Sequence, residues 1–202
     1  MSDDADDGTD DETGTGAGAT DRDDALAWET LEGDVDYSCP GFDVRRDDVR
    51  LPDGTETDFH YVDEPPSVVV LAFTADGDVV LVEEWRQAVG RVNRGLPAGT
   101  VEADDADLTA AARRELREET GHEAGTVEPL QAVEPANGFA SSVHHYFLAR
   151  DCEPSAETAL DFNESIRPAT VDYGAFRDAV LAGEVRDGRA VLGVSLYEAR
   201  TE

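Results

Sequence analysis

From residue 25 onward, apolar positions fall into short runs separated by turn signals. Phe42 to Leu51 alternates loosely and ends in Leu51-Pro52-Asp53-Gly54, a turn. Residues 55–62 read as the return strand. Together they predict a small antiparallel β unit over residues 25–65, with Trp28 and Leu31 as its first apolar anchors. After Pro65-Pro66 the texture changes. Val68-Val69-Val70-Leu71-Ala72-Phe73 is continuously apolar, the pattern of a strand buried on both faces. Ala75-Asp76-Gly77-Asp78 turns the chain, and residues 79–85 complete a hairpin. Residues 126–132 and 143–149 read as further strands, followed by an acidic loop over 151–165. Helices are expected over 106–120, over 172–182 with Gly183 as the stop, and over 189–199. Strands interleaved with helices predict an α+β fold, an α/β/α sandwich around a mixed central sheet. The expected division is a disordered acidic tail over 1–24, the β unit over 25–65 and a main domain over 66–202.

The helix over 106–120 carries the informative pattern. At helical spacing Leu108, Ala111, Ala112 and Leu116 form its core stripe. Glu115 and Glu119 fall inside that stripe, Glu118 lies at its edge, and Arg113 and Arg117 point outward. A Glu-rich helix is ordinarily a solvated face with i,i+4 ion pairs. Here two carboxylates lie on the apolar side, where an unpaired charge is costly. Glu115, Glu118 and Glu119 are one turn apart and can converge on a hard cation such as Mg²⁺, which takes oxygen ligands and bridges carboxylates to phosphate. Arg114 is adjacent and can hold a carboxylate by a bidentate pair. Gly121 is a natural helix stop.

Charge narrows the partners. The chain has 47 acids and 16 bases, all of them Arg, for a net charge of −31. Residues 1–24 hold ten acids and one Arg, leaving −22 on the rest. Such a surface repels nucleic acid and anionic membranes, so neither is expected as a partner. Concentrated salt screens this charge, which, with Lys missing along the whole chain, points to a salt-rich cytoplasm such as that of halophilic archaea; an ordinary acidic protein with an acidic tail is the alternative. No apolar run is long enough to span a bilayer, and the N-terminus has neither the basic nor the apolar region of a secretory signal. A cytoplasmic protein is expected. Cys39 and Cys152 belong to no C-x-x-C pair, so no zinc or redox motif is present. His144 and His145 are consecutive in a strand, so their rings face opposite ways, one expected buried and one exposed.

The residues around the helix resemble the signature of the Nudix hydrolases, Gly-x5-Glu-x7-Arg-Glu-U-x-Glu-Glu-x-Gly-U, with U aliphatic. Gly99, Arg114, Glu115, Leu116, Glu118, Glu119 and Gly121 match, after Leu96-Pro97-Ala98-Gly99. The span from Gly99 to Arg114 is one residue longer than the signature, so its middle acid aligns with Asp105 or Ala106, and His122 stands at the last aliphatic position. Residues 80–87, ending in Arg86-Gln87, and the β unit over 26–62 resemble the ADP-ribose pyrophosphatases of that family. Gly95, Asn137 and Ser141-Ser142 depart from that branch where substrate is chosen.

The resemblance implies a Nudix-type sandwich and Mg²⁺-dependent hydrolysis of a nucleoside diphosphate linked to another group, Mn²⁺ serving in place of Mg²⁺. The first choice is ADP-ribose to AMP and ribose 5-phosphate. Another nucleotide sugar, a dinucleotide, or a non-catalytic ligand-sensing module are the alternatives. Glu115, Glu118, Glu119 and the Ala98 carbonyl are the implied metal ligands, and Glu118 and Arg114 also belong to the catalytic set. Arg86 is the candidate phosphate or ribose contact, and Trp28, Tyr37 and Phe139 are candidates for stacking on the base, Phe139 first. The general base is sought in the 151–165 loop, with Glu164 first and Glu157 second. The β unit implies a homodimer.

Overall fold

The computed structural model describes residues 24–162 and 164–201. The acidic tail expected over 1–24 lies outside the described residues except for Asp24. Contacts divide the described chain into two compact units, residues 24–34 with 46–59, and residues 35–45 with 60–201.

Strands β1 (Glu29–Cys39), β2 (Phe42–Arg50) and β3 (Glu56–Asp63) form a three-stranded sheet in that order. β1 was not anticipated, although Leu31, Val35 and Tyr37 do alternate along it; Thr, Glu and Asp between them hide the pattern. In the first unit Trp28 meets Phe59 edge to face at 5.8 Å, and Arg50 pairs with Glu29 and Glu56.

The second sheet has seven strands: β4 (Ser67–Phe73), β5 (Asp78–Arg86), β6 (Arg91–Gly95), β7 (Ala98–Thr100), β8 (His122–Val133), β9 (His144–Pro154) and β10 (Ile166–Asp172). The order is β10-β5-β4-β9-β8, with β6 on β5 and β7 on β4. β4 and β9 run parallel and the neighbouring pairs antiparallel, so the sheet is mixed. The apolar run over 68–73 is its centre. Alternation sends Val68, Val70 and Ala72 to one face and Val69, Leu71 and Phe73 to the other. The first face packs on Ala111, Ala112 and Leu116 of helix α1 (Leu108–Thr120). The second packs on helices α2 (Tyr173–Leu181) and α3 (Gly188–Thr201) through Phe176, Val180, Ala190 and Val194. This is the expected sandwich.

Three strands were not legible in advance. β6 is polar, β7 has three residues, and β10 contains Pro168. A proline argues against a central strand; β10 escapes the rule by lying at the sheet's edge. Helix α1 starts two residues later than expected, because the Asp107 carboxylate accepts from the Ala110 N–H at 2.7 Å and caps it there. It stops at Gly121, whose φ of 71° is left-handed, and a Cβ there would lie 2.4 Å from the Ala156 carbonyl oxygen. His144 and His145 are both half-buried, not one buried and one exposed.

Candidate metal and diphosphate site

The turn over residues 96–99 is fixed from beneath. The Val70 N–H donates to the Pro97 carbonyl at 2.9 Å, and Ala98 and Gly99 pair with Val69 and Val68 of β4. Helix α1 lies against this turn closely enough that a Cβ on Gly99 would meet the Glu115 carboxyl group at 2.3 Å. The Ala98 N–H donates to Glu119 Oε2 at 2.9 Å. Glu115 and Glu119 are therefore held against backbone, 8% and 3% exposed, while the Glu118 side chain is 39% exposed at the stripe's edge. Arg113 and Arg117 face outward.

Arg114 ties the carboxylates together. Its Nη1 donates to Glu115 Oε1 at 2.8 Å and Glu118 Oε2 at 3.0 Å. Its Nε and Nη2 grip Asp105 at 3.0 and 2.8 Å, and Nη2 also donates to the Thr100 carbonyl. Asp105, ambiguous by alignment, thus orients the arginine that orients two glutamates. The Asp105 hydrogen bonds raise the Arg114 pKa, and Arg114 in turn holds the Asp105 carboxyl below its ordinary value. Burial pushes Glu115 up to about 7, with Arg114 opposing. Burial pushes Glu119 up to about 8, against the Ala98 N–H, with the charges of Glu115 and Glu164 adding.

Among the described residues no three acidic, His or Cys side chains are already gathered as a metal cage; Arg114 instead sits on Glu115 and Glu118. The donor chemistry nevertheless fits a hard divalent cation. Two buried carboxyls, their pKa values raised by burial, lie on one helix face, and their oxygens are the ligands Mg²⁺ or Mn²⁺ prefers.

Arg86, at the end of β5, pairs with Glu84 at 2.6 Å. Burial lowers its pKa and nearby Arg189 lowers it further. It lines a cavity of about 570 Å³ with Glu64, Ser67, His144, Tyr146, Asp187 and Arg189. Phe139 is 62% exposed, hydrogen-bonded through its carbonyl to the Val62 N–H, and is not among that cavity's lining residues. Glu164 is half-buried, and its carboxylate accepts from the Asp161 N–H at 3.0 Å. Its charge raises Glu84, Glu115 and Glu119, so it lies within electrostatic reach of all three. Glu157 is exposed. Sequence reading missed Tyr146, which sits in an apolar run and reads as core, and Arg189, which reads as an ordinary helix start.

The NUDIX domain model matches residues 63–189, more than half of the chain. The chain belongs to the NUDIX family. Over 176 residues it is 29% identical to the ADP-ribose pyrophosphatase of Bacillus subtilis (strain 168), covering 86% of this chain and 94% of that protein. It is 30% identical over 171 residues to the methanol dehydrogenase activator of Bacillus methanolicus, covering 84% and 92%. Among solved structures, an ADP compounds hydrolase superposes with a TM-score of 0.74 at 19% identity, covering 85% of this chain and 92% of that one; this likeness speaks to the fold. The protein is accordingly a NUDIX pyrophosphohydrolase acting on a nucleotide-type small molecule. NUDIX enzymes generally use a divalent metal. No helix among the described residues is long and apolar enough to cross a membrane.

Proposed function

We propose that this NUDIX enzyme hydrolyses ADP-ribose to AMP and ribose 5-phosphate with Mg²⁺. The observation that carries the reaction is the pair of buried carboxyls, Glu115 and Glu119, pressed against the Ala98-Gly99 turn. The similarity to an ADP-ribose pyrophosphatase along most of both chains supports the substrate.

Glu115, Glu118, Glu119 and the Ala98 carbonyl hold the cation in this reading. When bound, a divalent ion offsets diphosphate charge and lowers the pKa of a water. The remaining work belongs to side chains. Asp105 fixes Arg114, and Arg114 fixes the rotamers of Glu115 and Glu118, so the ligands need little reorganisation. Arg86, the candidate phosphate or ribose contact and already balanced by Glu84, binds a ribose oxygen of the substrate, and the exposed ring of Phe139 is the candidate platform for the base. Glu164 takes the proton as water adds to phosphorus and the bridging P–O bond breaks, one water being consumed for each AMP and ribose 5-phosphate released. Its position within electrostatic reach of Glu115 and Glu119 supports that role. A Mg²⁺ assay across ADP-ribose, other nucleoside diphosphate sugars and a dinucleoside polyphosphate tests the substrate. ADP-ribose should have the highest kcat/KM; a higher value for another compound overturns the choice.

A further inference from the structure

The side chains at the floor of the Arg86 cavity include polar atoms that the fold leaves without partners. Tyr146 is 1% exposed and its hydroxyl has no hydrogen-bond partner; His144 Nδ1 is buried and equally unpaired. Leaving a buried donor unsatisfied costs about 1–3 kcal/mol, so such a group needs a reason. The two residues stand two apart on β9 and therefore share one face of the strand. Both line the cavity of about 570 Å³. Packing alone does not explain the tyrosine. A phenylalanine would fill the same ring volume against Gly193, where a Cβ would come 3.6 Å from the Tyr146 ring and 2.5 Å from Leu96 Cδ1.

The rest of the lining says what kind of group fits. Arg86 and Arg189 reach the cavity already supplied with carboxylates, Glu84 at 2.6 Å and Asp187 at 3.9 Å. Glu64 adds another acid to the wall. The signs cancel, which disfavours a phosphate in this part of the cavity. A wall mixing guanidinium, carboxylate, imidazole and phenol offers both donors and acceptors, which suits a neutral polyhydroxylated group. Burial pushes the Tyr146 hydroxyl up to about 12, so it keeps its proton and donates at neutral pH. Burial lowers the His144 pKa, so that ring is neutral and one of its nitrogens can accept.

We propose that Tyr146 and His144 form a sugar subsite that reads hydroxyl groups of the non-nucleoside half of the substrate, making Tyr146 a specificity-determining residue. This deepens the pyrophosphohydrolase reading and rests on it. The test compares wild type with Tyr146→Phe, which keeps the ring and removes only the hydroxyl. Two substrates are used, ADP-ribose and a butyl ester of ADP that has the diphosphate but no sugar at that end. Ribose 5-phosphate binding is measured by calorimetry without metal. The variant should lose about five- to tenfold in kcat/KM on ADP-ribose, mainly through KM, and in ribose 5-phosphate affinity. It should be unchanged on the butyl ester. Equal effects on both substrates, or no effect on either, overturn the subsite, as does a wild type that does not bind ribose 5-phosphate. If wild type hydrolyses no diphosphate, the reading of the reaction fails, and the calorimetry still decides the subsite.

Discussion

Glu119 is the residue on which most depends. It is buried, it is anchored by a single backbone N–H, and its carboxyl is pushed up to about 8. Glu119→Gln keeps the shape and the Ala98 hydrogen bond but removes the charge. It should lower turnover more than about 100-fold, beyond the usual effect of groups that only support a ligand, with circular dichroism unchanged; retained activity would remove Glu119 from the metal site. The same burial gives a pH signature. A group whose folded pKa exceeds its unfolded value binds protons more tightly when folded. The stability it contributes is present below the unfolded value of 4.5 and is lost as pH rises through about 7 for Glu115 and about 8 for Glu119. In excess chelator and molar KCl, the melting temperature should fall between pH 6 and 8.5, and Glu119→Gln should flatten that fall. Identical slopes for the two proteins would mean that Glu119 carries no such penalty. Glu164→Gln should cost about 10²–10⁴ in kcat with little change in substrate affinity; a loss below tenfold assigns the proton to another group.

At the scale of elements, the junction between the 96–100 turn and α1 is what the site requires. Gly99 admits the Glu115 carboxyl, and Asp105 clamps Arg114 from the loop before the helix. Asp105→Asn should lower stability by about 1.5–3 kcal/mol, the range for hydrogen bonds to charged groups, measured by denaturant unfolding at neutral pH; no change would make the clamp dispensable. Much of this helix was legible from residue types alone. The stripe of Leu108, Ala111, Ala112 and Leu116, with Glu115 and Glu119 inside it, follows from spacing, and the observed burial agrees. The central strand was equally plain, because a run buried on both faces needs no alternation. β6, β7 and β10 were hidden for a shared reason: their pairing is decided by partners distant in sequence, and their own residues are few, polar or interrupted by proline. The cavity at Arg86 was hidden as well. Tyr146 comes from β9, Arg86 from β5 and Arg189 from α3, and no spacing along the chain announces that meeting.

The whole molecule is dominated by its charge and by the apolar side chains that a single copy leaves uncovered. The −22 on residues 25–202 is unscreened in dilute buffer, where the Debye length is about 30 Å at 0.01 M against about 3 Å at 1 M. Melting temperature should therefore rise steeply from millimolar to molar KCl; a flat profile would contradict adaptation to a salt-rich cytoplasm. Trp28, Leu31, Val35, Tyr37, Phe42 and Phe59 of the N-terminal strands and their approach are all more than a third exposed. Small sheets seldom stand alone with such a surface, which supports the expected homodimer through residues 25–65. Light scattering in molar KCl should give twice the chain mass, and an active monomer would rule the dimer out. The central claim is tested most directly by following ADP-ribose at molar KCl with Mg²⁺ and then with excess chelator. The account predicts AMP and ribose 5-phosphate in equal amounts with Mg²⁺ and neither product after chelation; undiminished hydrolysis in chelator, or none with Mg²⁺, would contradict it.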